Sequence, residues 1–310
     1  VDDDALTPEI LFFRWVNLTE QRWVIFRERR SVIPSQFSNA HDFHDGFASV
    51  AVRTTQPGAN AAAEWIDRTG KSVYRREAHQ EENLLSLRPP SIQADFSEGM
   101  LPILEGGLWG VIDRNFHWAI PPRYASRVGD HHDGLASVWM GGHGEFIDKT
   151  GKTVISMGDG QSGGDFLDGM ASVSDHGVTH GVMDRNGRLV IPIRYSQTES
   201  LGEGYAAAGG PSEGGMAIFD RTGKQLAPFR FLVVYRFNGG LAPATKGGGH
   251  PLYGYVNPAG AWVIPPQFSA AFSFSGDLAR VVLKSGDFGY VNRSGKVVWS
   301  GGHFNPCYTL

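Results

Sequence analysis

An all-β fold is what this sequence predicts: a tandem array of about eight three-stranded meander repeats, each about 36 residues long. Two markers and one absence lead there. Asp or Asn recurs as Asp67, Asp113, Asp148, Asp184, Asp220, Asn257 and Asn292, in steps of 46, 35, 36, 36, 37 and 35. A glycine recurs as Gly46, Gly99, Gly134, Gly169, Gly204, Gly240 and Gly276, in steps of 53, 35, 35, 35, 36 and 36. Between them no stretch carries a long apolar period of 3.6 residues, so helices should be few.

The clearest repeat runs from Gly144 to Ala171, GEFIDKTGKTVISMGDGQSGGDFLDGMA. A first strand ends at Asp148, whose carboxylate can accept a backbone N–H, and Gly151 supplies the positive φ that closes a short hairpin. The same spacing returns at Asp67 and Gly70, Asp184 and Gly187, Asp220 and Gly223, Asn257 and Gly260, and Asn292 and Gly295. A second strand follows, as in Thr153-Val154-Ile155 and Leu189-Val190-Ile191. Pro121, Pro192 or Pro265 often ends it, since proline donates nothing to a ladder. Its last two positions are apolar in nearly every repeat and should be core. Its first position varies (Ser72, Thr153, Gln225, Val297) and should lie nearer the surface. The third strand is the Gly-apolar-Ala run, as in Leu135-Ala136-Ser137-Val138. One such meander cannot bury its apolar face alone, so repeats must stack.

In chain order, residues 1–22 are an acidic tail and a first strand within ILFFRWVNL. The array spans 23–299. Its first unit lacks the turn signature, with Phe26 and Arg29 where Asp and Gly would stand, as a capping repeat does. An insertion at 74–96 contains REAHQEENLLSL, a candidate for the one helix of note, and 300–310 form a polar tail. About eight such units fit an open twisted β-solenoid or a closed propeller-like ring. Degenerate terminal units and three strands per repeat favour the open array.

These units resemble the WG repeats, a bacterial family named for an aromatic-Gly pair ahead of the Ile-Asp strand. The pair stands as Trp109-Gly110, Tyr253-Gly254 and Phe288-Gly289, more weakly as His180-Gly181, and is lost at Met216-Ala217 and Glu64-Trp65. The resemblance implies a β-rich repeat scaffold from about Trp23 to Trp299, and no shared catalytic residues.

Composition excludes several classes. A net charge of −4 with no basic stripe argues against a nucleic-acid surface. One cysteine, Cys307, rules out an internal disulfide framework and cysteine-based zinc sites. No apolar run approaches the roughly 18 residues a spanning helix needs, so no transmembrane segment is expected. The chain starts at Val1, as after signal-peptide removal or trimming. With so little cysteine, this points to export from a bacterium: periplasmic, cell-surface or secreted.

Motifs for chemistry are thin. Gly151-Lys152-Thr153 lacks the upstream glycine of a phosphate loop, because Phe146 stands there. Gly-x-Ser-x-Gly occurs at 160–164 and 210–214 without a strand-to-helix context, and both should be loop tips. The histidines, among them His41, His44, His176 and His180, lack helical spacing or cysteine partners, so no metal and no cofactor is expected. The row of turn aspartates is explained by the turns themselves. Trp118 and Trp262 occupy the variable second-strand position, and His131-His132 replaces an aromatic-x pair. These four are the candidate ligand-binding residues, because repeats depart from one another there. The function expected is a non-catalytic scaffold presenting a repeat-lined surface to a protein or glycan partner. The alternative is a carbohydrate-active or other hydrolytic enzyme using loop carboxylates.

Overall fold

The computed structural model describes residues 11–15, 23–27, 30–37, 39–40, 43–52, 62–77, 95–247 and 251–303. The chain forms two compact units, residues 1–131 with 149–151, and residues 132–148 with 152–310. Each unit is a series of small antiparallel sheets with strands in chain order. Among the described residues, helical structure is confined to one 3-10 turn, Pro211–Glu213.

The first unit holds three sheets: Leu11–Trp15, Trp23–Arg27 and Arg30–Phe37; then Asn39–Ala40, Phe47–Val52, Ala62–Asp67 and Ser72–Glu77; then Met100–Glu105, Leu108–Asp113 and Trp118–Tyr124. The second unit begins with Leu135–Met140, His143–Asp148 and Thr153–Ser156. Next come Gln161–Gly163, Met170–Asp175, Thr179–Asp184 and Leu189–Tyr195, followed by Gln197–Gly202, Tyr205–Gly210, Gly215–Asp220 and Gln225–Phe231. The last two sheets are Val233–Val234, Ala242–Thr245, Tyr253–Val256 and Trp262–Phe268, and Ala270–Ala271, Leu278–Val282, Asp287–Asn292 and Val297–His303.

Three of these eight sheets have three strands and five have four. The added strand comes first in its sheet and is as short as two residues at Val233–Val234, which explains its faint signal. With four strands common, strand count no longer separates an open array from a ring. Of the expected insertion, residues 74–77 continue the strand Ser72–Glu77, and 78–94, with most of the expected helix, lie outside the described residues. So does Cys307.

Both recurring markers are turns at the same end of a sheet, because an antiparallel meander brings its first and third turns together. The Asp-x-x-Gly turn joins the last two strands. Asp220 Oδ1 accepts the N–H groups of Thr222 at 2.8 Å and Lys224 at 3.1 Å, while Gly223 N donates to Asp220 O at 2.9 Å. Asp67, Asp113, Asp184 and Asn292 repeat this pattern. Gly151, Gly187 and Gly223 take φ of 80°, 78° and 82°, as that turn requires. In the third sheet Phe116 replaces the glycine and still takes φ 61°. It is held there by Tyr74, stacked at 4.8 Å, and by Phe47 and Phe96 edge-on at 5.4 and 5.7 Å.

The acid-Gly marker is a two-residue turn with positive φ at both positions, as at Asp168 (49°) and Gly169 (86°). Its carboxylate reaches the same turn of the next repeat. Asp133 Oδ2 accepts Gly169 N at 2.6 Å, and Asp168 Oδ2 accepts Glu203 N at 2.6 Å. Glu203 accepts both Gly239 N and Gly240 N, at 2.6 and 2.9 Å. In the first unit Asp45 accepts Gly99 N at 2.7 Å. The aromatic two residues before the first central position of this turn is core, whether that position is an acid (Glu98, Asp168) or glycine (Gly239, Gly276): Phe96, Phe166, Phe237 and Phe274 are all buried.

The glycine of the aromatic-Gly pair has a different role. Opposite it the last strand advances four residues while its partner advances two, from Ile191 to Tyr195 against Val182 to His180. The same excursion runs from Ile120 to Tyr124 and from Ile264 to Phe268, and prolines occupy it each time. This arch lies over the glycine. A Cβ on Gly110 would sit 2.7 Å from Ile120 O and Pro122 N, and one on Gly181 2.7 Å from Ile191 O. One on Gly254 would lie 2.7 Å from Pro266 N and closer still to Ile264 O. A second bulge precedes the arch, where Trp118 and Ile120 face the consecutive residues Ile112 and Val111. It corrects the expectation of two core positions per strand. Only the third position is regularly buried (Ile120, Ile155, Ile191, Ala227, Ile264), while Val154, Val263 and Val298 are exposed.

Two outcomes follow from these turns and crossings. Gly254→Ala should lower stability by about 1–3 kcal/mol, since the methyl group meets backbone rather than a movable side chain. Gly289→Ala, whose Cβ would meet its nearest atom at 3.3 Å, should cost clearly less in the same denaturant titration. Equal costs would remove the arch as the reason for the glycine. The second outcome concerns acid. The Asp67 and Asp220 carboxyls are held below the ordinary range by the hydroxyls of Thr69 and Thr222, and Asp113 by the His117 N–H. At Asp184 burial pulls upward, but the N–H groups of Arg188 and Asn186 outweigh it. A carboxyl with a lowered folded pKa stabilises above its unfolded value, and that contribution is lost as pH falls through the folded one. Thermal stability should therefore hold down to about pH 5 and decline below about pH 4. Asp220→Asn, mimicking Asn257 and Asn292, should flatten that decline; an unchanged pH profile would refute it.

Candidate binding groove

In the second unit, the first strands of three successive sheets, two of them only two residues long, line one groove of about 820 Å³. Its walls are Ser196–Glu199, Leu232–Arg236 and Ala270–Ser273, with His180, Met216, Pro243 and Tyr253 between them. His180, Met216 and Tyr253 are the first residues of the aromatic-Gly pair in three consecutive repeats. Each lies opposite the aromatic that ends the last strand of its sheet: Tyr195, Phe231 and Phe268. That register carries the variable side chain to the groove while Gly181 and Gly254 stay beneath the proline arch.

Leu232, Tyr235 and Phe272 are exposed along the groove. Tyr235 and Tyr253 lie 6.2 Å apart at 31°, and burial together with a hydrogen bond to Tyr235 pushes the Tyr253 phenol upward. Phe272 is fixed from two sides. The Tyr255 hydroxyl donates to its carbonyl at 2.8 Å, and the Arg280 guanidinium lies 4.1 Å from its ring and 5.8 Å from Phe288. Burial drives the Tyr255 phenol far above its ordinary range, which keeps it a donor at any working pH. The walls are tied by Thr198 Oγ1 to Gly181 O, Ser196 Oγ to Gly209 O and Ser273 Oγ to Arg236 O, each at 3.1 Å. Glu199 and Arg236 put one negative and one positive charge on an otherwise largely apolar lining. Held aromatic faces with few polar groups suit stacking and apolar contact with a bound chain.

None of the four candidate ligand-binding residues, Trp118, Trp262, His131 and His132, lines this groove. Trp118 is 39% exposed, its ring over Gly110. Trp262 is half-buried against the cluster of Phe231, Phe237 and Val256, edge-on to Phe231 at 5.9 Å, with the Lys246 ammonium 5.9 Å from its ring. His131 is buried in the aromatic position before the acid-Gly turn, and its carbonyl accepts the Ser97 hydroxyl at 2.6 Å. His132 is half-buried beside that turn, paired with Leu135. His44 is 3.8 Å from Asp95 and His176 2.8 Å from Asp175, so these two do not converge with the others. Of the Gly-x-Ser-x-Gly stretches, 210–214 is the 3-10 loop as expected, but Ser162 lies within the strand Gln161–Gly163, paired with Ser174. A signal for the groove was present in the sequence: His180 and Met216 are where the aromatic of the pair gives way. The pair is weak at His180 and lost at Met216, and no local pattern joins the two to one surface, because the first strands that complete it carry almost none.

No curated protein matches the chain. Among solved structures, one titled as a eukaryotic initiation factor is similar at 8% identity and TM-score 0.53, over 91% of this chain and 83% of that one. BamB from Moraxella catarrhalis is similar at 10% identity and TM-score 0.46, over 85% of this chain and 87% of that one. At such identities the first likeness is one of fold. The pattern described as "WG containing repeat" matches residues 27–53, 109–142, 181–208, 216–249 and 253–285. With its aromatic-Gly pairs, proline arches and acid-Gly turns, the chain belongs to the WG repeat family.

Proposed function

We propose that this WG repeat scaffold is a non-catalytic binding protein that presents a repeat-lined surface to a protein or glycan partner. The groove beside Tyr235, Tyr253 and Phe272 is that surface. The observation that carries the reading is the convergence of three repeats on one groove, each through the first residue of its aromatic-Gly pair or of the position that replaces it. Conserved-looking positions elsewhere are already accounted for by turns and crossings. The groove's rigid aromatic faces are the kind of anchor that concentrates binding energy. Trp118, exposed in the first unit, is a separate candidate contact, and His132 a polar one. Export from a bacterium, to the periplasm, cell surface or medium, agrees with the single cysteine.

Glycan and peptide arrays probed with the purified chain, followed by titration of the best binder, test this reading. Tyr235→Ala and Phe272→Ala should each weaken binding by more than about 1 kcal/mol, roughly fivefold or more, with little change in melting temperature. Binding untouched by both would move the surface elsewhere. Trp118→Ala should leave folding intact, as its ring is partly exposed. Trp262→Ala should instead cost about 2 kcal/mol or more of stability, because a half-buried ring leaves a gap beside Phe231. A Trp262→Ala chain as stable as the parent would contradict its core placement.

A further inference from the structure

The three first strands that wall the groove set equivalent residues in one row. Glu199, Tyr235 and Phe272, in steps of 36 and 37, each stand two residues before a buried residue ahead of the tight turn: Leu201, Phe237 and Phe274. The pairing agrees with this alignment. Glu199 lies opposite Ala207, while Tyr235 N donates to Pro243 O at 2.8 Å and Phe272 N to Arg280 O at 3.0 Å, at matching positions of the second strands. Neighbouring first strands are tied beside the row, by Phe237 N to Leu201 O at 2.7 Å and by Ser273 Oγ to Arg236 O at 3.1 Å. All three row residues are exposed and line the groove. A chain lying across it meets a carboxylate, a phenol ring and a phenyl ring in that order.

The polar groups of the lining narrow what that chain is. Ser196, Thr198 and Ser273 direct their hydroxyl protons to wall carbonyls, at Gly209, Gly181 and Arg236. A sugar carries a hydroxyl on most of its ring carbons, and each one set against an apolar wall without a partner weakens binding. Glu199 supplies the lining's one carboxylate and Arg236 its one guanidinium. Both side chains are exposed, and neither has a hydrogen-bond or ion-pair partner among the described residues. A neutral glycan offers nothing to either charge, and an acidic one is repelled by Glu199. A peptide with basic, apolar and acidic side chains supplies a match for each part.

We propose that the groove takes an extended peptide lying across the three strands. A Lys or Arg side chain of that peptide sits on Glu199, aromatic or aliphatic side chains lie against Tyr235 and Phe272, and an Asp or Glu side chain meets Arg236. The inference rests on the reading of this groove as the binding surface and adds the class of partner. Side chains repeated along a held wall read successive side chains of an extended ligand. The two opposite charges fix its direction, because a reversed peptide sets like charges together.

An array of acetylated, amidated peptides of about nine residues tests the proposal, with one lysine, one glutamate and two aromatic residues permuted in a glycine and serine background. The tightest binder is titrated against the parent chain and against Glu199→Gln, Arg236→Gln and Tyr235→Ala, with folding followed by far-ultraviolet circular dichroism. Glu199→Gln and Arg236→Gln should each weaken binding at least about fivefold. Replacing the peptide's lysine or glutamate by glutamine, with the chain unaltered, should weaken it to the same degree. Glu199→Gln combined with loss of the peptide's lysine should cost no more than either change alone, which identifies the pair. Binding that falls with Tyr235→Ala but ignores every charge change overturns the peptide assignment and leaves the groove as a binding surface. Capture of oligosaccharides on a glycan array with no peptide bound has the same consequence. A chain that binds neither overturns the groove reading and the peptide together.

Discussion

A carboxylate in the tight turn of one repeat accepts the backbone N–H of the same turn in the next, and this contact sets how the repeats stack. The turn has positive φ at both central residues, so its N–H groups point outward with no partner inside the hairpin. Asp133, Asp168 and Glu203 supply that partner over successive repeats in the second unit, as Asp45 does in the first. The arginine after the turn aspartate adds a cation at the same end. Arg293 donates to the carbonyls of Gly239 and Gly276 at 2.9 and 2.8 Å, and Arg114 donates to Asp45 O. Carbonyls and N–H groups of the turn row are thus met by opposite charges. The spacing of about 36 residues is the length of chain needed to return to this contact once per sheet.

Glycine conservation across repeats has two separate physical causes. In the turns it is backbone conformation, and a side chain there is strained even in open space; Gly169 has nothing within 4 Å of its would-be Cβ. In the aromatic-Gly pair it is proximity, since the proline arch of the adjacent strand lies across that residue. Prolines on the arch serve both parts. They fix φ where the strand departs from its ladder, and they remove donors that the excursion would leave unpaired. At Met216-Ala217 the pair is lost and the arch carries the single proline Pro228, yet the same excursion persists, from Ala227 to Phe231 against Ile218 to Met216. The arch therefore does not depend on the glycine; the glycine is needed where the arch approaches closely, whether it carries two prolines or, opposite Gly181, one.

Most of the fold was legible because it is written seven or eight times. Turn chemistry at Asp148 and Gly151, the recurrence of the Phe166-Leu167-Asp168-Gly169 motif and the strand order follow from local pattern repeated at one period, whereas the burial of Phe166 is seen only in the structure. The parts that escaped are those without local pattern. Val233–Val234 and Ala270–Ala271 are two-residue strands made by the path of the chain between sheets, and no periodicity marks two residues. The bulge that exposes Val154 and Val263 follows from register, which is a property of two strands together. Phe116 was legible only as a missing glycine, since its left-handed conformation is sustained by Tyr74, Phe47 and Phe96 from elsewhere in the chain.

Within a repeat protein, agreement and departure carry different information, and the departures here have distinguishable physical signatures. His131 departs from an aromatic by taking its place in the core, and Phe116 departs from a glycine by recruiting an aromatic cluster. Both are compensated where they occur. Met216 likewise packs into the core cluster beside Ile218 and Phe231 at the base of the groove, whereas His180 stays half-buried at its wall. A departure that the fold repairs locally explains itself through folding. One that leaves a side chain open to solvent beside exposed aromatics is not explained by folding within the repeat, and in this chain that departure is His180 on the groove.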